Sequence, residues 1–302
     1  MITVSGLSKH YGKRVAVDDL SFDVAGGRVT GFVGPNGAGK STTMRMMVGL
    51  TRPDSGEVRC AGVRYRDLKS PARTIGAVLD ARSMHPGRTA RNHLRATAAL
   101  SGIPGRRVDE VLAEVGLETA ADQRAGKFSL GMRQRLALAG ALLGDPEILL
   151  LDEPSNGLDP DGIRWLRDHL SAFAARGGTV FVSSHLISEL SMFADDLVVV
   201  GGGRLIAAES LHAITARSDV AVVVQTPQPV RLVALLAEHG HGAEATGDRV
   251  VVRGTTRAAV SQIAFDHGIR VLELTETSRS LEDSLLDMTR SAAEFASTPA
   301  TA

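Results

Sequence analysis

The chain opens on two stretches in which apolar and polar residues alternate, MITVSGL and AVDDLSFDV. A period of two puts every second side chain on one face, so both predict half-buried antiparallel strands. The next apolar stretch, VTGFV, is nearly unbroken, and a glycine run and then a helical pattern (STTMRMMVGL, ending at Gly49 or Leu50) follow it. Between residues 85 and 127, RNHLRATAALSG and RVDEVLAEVGL carry apolar residues at three and four spacings, two helices parted by Gly102, Pro104 and Gly105. Beyond SLGMRQRLALAGALLG, the aliphatic run EILLLDEP predicts a buried strand, GTVFVSSH another, and DLVVVGGGRLIAAE a hairpin. Fully apolar strands separated by helices predict a parallel sheet covered on both faces.

Near residue 215 the texture changes. SDVAVVVQ, DRVVVRG and IRVLELTET read as strands, PVRLVALLAEHG and TRAAVSQIAFDHG as helices, with a further short strand around Ala243 to Ala245. That order predicts a compact α+β unit of the split βαβ kind. SLEDSLLDMTR reads as a last amphipathic helix. The predicted organisation is therefore a main domain over residues 1–215 with a helical subdomain at about 85–145, an accessory α+β domain over 216–290, and a frayed tail over 291–302. The pattern contains no convincing internal repeat.

Composition narrows the function classes. Of 302 residues 43% are hydrophobic and 23% charged, enough for a packed core and unlike a disordered chain. Lys and Arg (34) balance Asp and Glu (34), which argues against a nucleic-acid partner, since such proteins usually carry a basic excess. The one cysteine, Cys60, has no internal disulfide partner and reads as a packing residue in a reduced compartment. The first residues lack a secretory core, and no apolar stretch approaches the ~20 residues that cross a bilayer, so any membrane role is expected through a partner.

Chemistry concentrates in three places. Residues 34–42, GPNGAGKST, fit the phosphate-loop pattern in full. Gly34, Gly37 and Gly39 let the amide N–H groups of Asn36–Thr42 turn inward around oxyanions, with Pro35, Asn36 and Ala38 among the glycines, and the helix that follows adds its positive end. Lys40 supplies a mobile positive charge, and Ser41 a hydroxyl for Mg²⁺. At the end of the ILLLDE strand, Asp152 is a second Mg²⁺ candidate and Glu153 the candidate general base. In KFSLGMRQRL, Ser129 can cap a helix whose first turn Gly131 leaves bare, a second anion site.

Together these residues resemble the nucleotide-binding subunit of an ABC transporter, over roughly residues 2–215. The resemblance extends to Tyr11, at the place of the aromatic that stacks on adenine; to SNGLDP, where Leu158 and Asp159 would reach a partner subunit; and to His185, at the place of the switch histidine that contacts the terminal phosphate. Two departures stand out. The usual Leu-Ser-Gly-Gly-Gln signature is here Phe128-Ser129-Leu130-Gly131-Met132, so a side-chain amide is lost, with Gln134 two residues on. Where the family usually has a glutamine, Asp80 stands; it either faces Mg²⁺ or is a solvated loop acid.

The resemblance implies an α/β fold: a P-loop NTPase core with a mainly parallel sheet flanked by helices, an antiparallel β subdomain and a helical subdomain, the C-terminal α+β domain being additional. It implies ATP and Mg²⁺ as cofactors, and a homodimer, or a heterodimer with a similar ATPase subunit, closing head to tail on two ATP molecules. It implies transmembrane permease subunits on a separate chain and a place at the cytoplasmic face of the membrane. The texture of HPGRTARNHLR and SLGMRQRL resembles subunits of bacterial exporters for drugs, antibiotics and other hydrophobic or peptide compounds. Two alternatives stay open here, a non-transport ABC ATPase and an ATP-sensing regulator with little turnover. The single phosphate loop and zero net charge count against the first, and the intact Asp152-Glu153 pair against the second.

Overall fold

A computed structural model of the chain describes residues 1–80, 84–216 and 220–278. The helix read at 280–290 and the tail at 291–302 lie outside the described residues. The chain divides into two compact units, with the boundary between Leu211 and His212.

The first unit begins with β1 (Ile2–Tyr11) and β2 (Arg14–Val24), then β3 (Val29–Val33), α1 (Lys40–Met47) and β4 (Ser55–Cys60). β2, β1 and β4 form an antiparallel three-stranded sheet. Its alternating residues Ile2, Val4, Val17, Leu20, Phe22 and Val24 are buried, so the period-two pattern is the inward face of this sheet. Next come α2 (Pro71–Thr74), β5 (Ile75–Val78), α3 (Ala90–Leu100), α4 (Arg106–Glu114), α5 (Leu130–Leu142), β6 (Ile148–Asp152), α6 (Pro160–Ala175), β7 (Thr179–Ser184), α7 (Ile187–Leu190), β8 (Asp196–Gly201) and β9 (Arg204–Ser210). These supply a six-stranded sheet of order β5-β6-β7-β3-β8-β9, parallel except for the β8–β9 hairpin at one edge.

β3 lies between β7 and β8 and is buried at every residue, which is why it lacks alternation. Phe32 and Phe181 from adjacent strands stack at 4.9 Å, and Phe22 from the other sheet closes on both at 5.8 and 5.7 Å. Such aromatic clusters contribute beyond their buried area. Met44 and Met47 of α1 fill the same core, so the helix that follows the glycine loop is fixed from beneath. The loops after β3, β6 and β7 leave at the carboxyl ends of neighbouring parallel strands, where open α/β sheets bind ligands.

The boundary is crossed by α8 (Leu211–Ala216). The second unit holds β10 (Val220–Gln225), α9 (Pro229–Glu238), β11 (Ala243–Thr246), β12 (Arg249–Arg253), α10 (Arg257–Asp266) and β13 (Glu273–Ser278). Its antiparallel sheet has the order β11-β12-β10-β13. This is the βαββαβ arrangement with the first strand in the interior of the sheet. Val222, Val224, Val250 and Val252 meet Leu232, Leu236, Val260 and Ile263 in a core of its own. The last strand is shorter than IRVLELTET suggests. Arg270 is held out of the ladder by Thr226 Oγ1, which donates to its carbonyl at 2.7 Å, and by Gln228 Oε1, which accepts from its N–H at 3.3 Å.

Candidate functional site

The phosphate loop is set by crowding as much as by flexibility. A Cβ on Gly34 would meet the Val200 carbonyl oxygen of β8, and one on Gly39 the Ala16 carbonyl oxygen of β2. Gly37 and Gly39 sit at φ 83° and 100°, the region that favours glycine. Gly39 is also the N-cap of α1 and brings no side chain to its first-turn amides. That turn is left for an outside acceptor, and the dipole favours an anion there. Lys40 begins the helix and is 6% exposed; its Nζ donates to the Gly34 carbonyl at 2.6 Å and lies 3.6 Å from Glu153 Oε1.

β6 delivers the acids. Asp152 closes the strand, and Glu153, in the left-handed region at φ 49°, turns its side chain towards the loop. One hydroxyl on the adjacent strand holds both residues. Ser183 Oγ donates to Asp152 Oδ1 at 2.6 Å and accepts the Glu153 N–H at 2.9 Å. His185 Nδ1 lies 2.7 Å from Glu153 Oε2, and Asn156 Nδ2 donates to the same oxygen at 3.5 Å. A carboxylate can only accept, so Nδ1–H donates in this contact.

A cleft of about 510 Å³ is lined by Tyr11, Arg14, Ala16, residues 36–42, Glu153, Asn156 and His185. Tyr11 is 50% exposed, with Lys9 Nζ 5.6 Å from its ring centre. Arg14, Ala16, Asn156 and Ser183 escape the reading of the sequence. Ser183 had a signal, two serines closing the apolar run Val180-Phe181-Val182; Arg14 and Ala16 had none.

The other candidates do not line this cleft. Ser129 caps α5, its Oγ accepting the Met132 N–H at 3.2 Å. Asp159 caps α6, its Oδ1 accepting the Gly162 N–H at 2.8 Å. The loop between them is packed: Leu130 lies against Gly157, and a Cβ on Gly131 would be 3.4 Å from Leu158. Gln134 Nε2 reaches the Asn156 carbonyl of the same chain at 3.5 Å. Asp80 lies in a second cleft of about 540 Å³, with Tyr65, Leu79, Met84, His93 and Leu136, because β5 is an edge strand whose end runs towards the helices.

The donor set fits a nucleotide with a hard cation. Loop amides and Lys40 suit phosphate oxygens, and Ser41 and Asp152 are oxygen donors. Among the described residues no group of three or more His, Cys, Asp or Glu converges on a point. Mg²⁺ keeps waters and shares phosphate oxygens, so a hydroxyl and one carboxylate are donors of the kind it takes.

The comparisons with known proteins give the same answer. Residues 17–156 match the family described as ABC transporter. The bacitracin transport ATP-binding protein BcrA of Bacillus licheniformis is 36% identical, over 94% of this chain and 95% of its own length. The chain belongs to the ABC transporter family of ATP-binding subunits. This ABC subunit is also 34% identical to the Nod factor export ATP-binding protein I of Rhizobium sp. (strain N33), over 95% of this chain and 96% of that one. A solved dimeric structure of the ATP-binding cassette MJ0796 in a post-hydrolysis state, bound to ADP and Pi, superimposes with a TM-score of 0.64 at 25% identity. It covers 70% of this chain and 99% of that one. Residues 220–282 match a family described as a domain of unknown function (DUF8746). As an ABC subunit the chain binds ATP and belongs to a class of ATPases that pair as dimers and work with membrane permeases. No helix among its described residues is long and apolar enough to cross a membrane.

Proposed function

We propose that this subunit hydrolyses Mg-ATP between two copies of itself, or with a similar ATPase subunit, and so drives a separate permease that exports drugs, antibiotics or other hydrophobic or peptide compounds. The observation that carries the catalytic part is the position of Glu153. It lies within 3.6 Å of Lys40 Nζ and 2.7 Å of His185 Nδ1, at the mouth of the phosphate loop. Glu153 accepts the proton of the attacking water. His185, held against Glu153 through Nδ1, places its ring beside the terminal phosphate, and Lys40 balances the charge of the phosphate tail. Tyr11 stacks on the base. Ser41 and Asp152 would hold Mg²⁺, with Asp80 the further carboxylate that the family register offers, and the ion would neutralise charge on the phosphates.

Ser129 and Asp159 do not line the cleft of their own chain, which suits service to the cleft of the other copy. Two anion sites on one chain then close on one nucleotide across a two-fold axis. ATP favours the closed pair, and hydrolysis removes that preference. The second cleft, where Tyr65, Leu79, Met84 and Leu136 meet Arg45 and Asp80, suits a helical segment of the permease at the cytoplasmic membrane face. Likeness to transport subunits along the whole chain, accessory unit included, supports export over a regulatory role.

Glu153→Gln tests the assignment. The variant is expected to bind Mg-ATP, accumulate as a dimer on size-exclusion chromatography with light scattering, and release phosphate at least about a hundredfold more slowly. Near-normal phosphate release would remove Glu153 as the base.

A further inference from the structure

We infer that Glu189 is a positioning residue, which holds the Glu153–His185 pair in register and ties it to the loop that packs on the Ser129 end of α5. The inference rests on the reading of Glu153 and His185 as the reacting pair. Glu189 does not line the cleft. Its Oε2 accepts the hydroxyl of Ser155 at 2.6 Å and that of Ser184 at 3.3 Å. Ser155 stands two residues after Glu153, and Ser184 directly precedes His185. One carboxylate oxygen therefore joins the strand ends that carry the base and the imidazole.

Two serine hydroxyls need an acceptor oxygen at this point, and Glu189 reaches both. Each serine has one proton to give. Ser184 Oγ already accepts the Leu186 N–H at 3.0 Å, so its proton needs an acceptor elsewhere, and Glu189 supplies it. Ser155 makes the same demand from the other side. The half-buried Glu189 is itself well anchored. The next residue, Leu190, is 2% exposed and fills the space left by Gly31 on the central strand, where a Cβ would come within 2.8 Å of it. From Ser155 the connection continues to Gly157 against Leu130 and Leu158 against Gly131, at the start of the helix that Ser129 caps. Glu189 thus stands between the group that meets a terminal phosphate and the surface offered to the second copy. A shift of His185 passes to that surface through two hydrogen bonds.

The test uses the full-length chain and five variants: Glu189→Ala, Glu189→Gln, Glu189→Asp, and Ser155→Ala/Ser184→Ala with and without Glu189→Ala. Glu189→Ala is expected to lower kcat for Mg-ATP by about ten- to a hundredfold, with KM held within about twofold, because misplacement affects the reacting geometry more than ground-state binding. Glutamine keeps the length and an acceptor oxygen and should recover most of kcat. Aspartate, one methylene short, should not. In the serine double variant, Glu189→Ala should add less than about twofold, since its route is already gone. Hydrogen exchange supplies a readout free of turnover: residues 154–159 and the Leu186 amide should exchange faster in Glu189→Ala and return to normal in Glu189→Gln. Unchanged exchange in Glu189→Ala, or full additivity with the serine changes, overturns the inference. A wild-type chain without Mg-ATP turnover would sink the proposed function instead, and the exchange data would still decide the place of Glu189.

Discussion

Ser183→Ala concentrates the reasoning about the site in one oxygen atom. Ser183 is 0% exposed, accepts the Glu153 N–H at 2.9 Å and donates to Asp152 Oδ1 at 2.6 Å. The change removes a neutral hydrogen bond, orphaning an N–H at a cost of about 1–3 kcal/mol, and a charge-assisted one of about 1.5–3 kcal/mol. Asp152 is only half-buried, so water recovers part of the second loss, and about 2–4 kcal/mol is the expected total. Urea unfolding should show it as a lower midpoint with an unchanged slope. Phosphate release should fall about a hundredfold, because both acids lose their shared anchor. Val182→Ala provides the control. Val182 is 2% exposed, one residue earlier on the same strand, and the change costs about 2 kcal/mol through packing alone while sparing turnover. Ser183 is not the shared anchor if Ser183→Ala keeps both stability and turnover, or if Val182→Ala, equally destabilised, loses as much activity.

Two glycines of the phosphate loop should differ. Gly34→Ala drives a methyl into the Val200 carbonyl and should abolish binding of a fluorescent ATP analogue, whereas Gly37→Ala meets only the movable Arg14 guanidinium at 3.2 Å and strains a backbone at φ 83°. It should fold and weaken binding about tenfold. His93 and His169 are both held below the ordinary histidine range of 6.5, first by burial and then by the Arg88 and Arg176 charges respectively, with Glu114 opposing at His169. The folded state therefore prefers neutral rings, and stability is complete above about 6.5 and lost as pH falls below it; melting curves from pH 7.5 to 5.5 should show the fall, and His93→Gln/His169→Gln should flatten it. Cys60 is buried, its thiol pushed up to about 11, so a thiol-reactive chromophore should stay silent at pH 7.5 until the chain unfolds. Rapid labelling of the native protein would contradict its place in the core.

Much of the fold was legible because periodicity reports burial directly. The alternation of Ile2 and Val4 and the unbroken Ile148–Asp152 strand are burial patterns before they are strands. The phosphate loop was legible too, because spacing within one short segment carries its geometry. What escaped depends on contacts between distant segments. Ser183 acts on residues about thirty positions away, and Glu189 joins two loops that only the closed sheet brings together. Arg14 lines the cleft because β2 passes over the loop, which no local pattern announces. Asp80 illustrates the converse, a position whose motif register says little about which cleft its short side chain reaches.

Glu153 adopts a backbone conformation that a side-chain-bearing residue enters only at some expense, commonly about 1–2 kcal/mol. Glycine or asparagine would rest there more comfortably. Selecting this protein for heat resistance alone would thus reward replacement of its own base, and the hardiest survivors would include molecules unable to turn over.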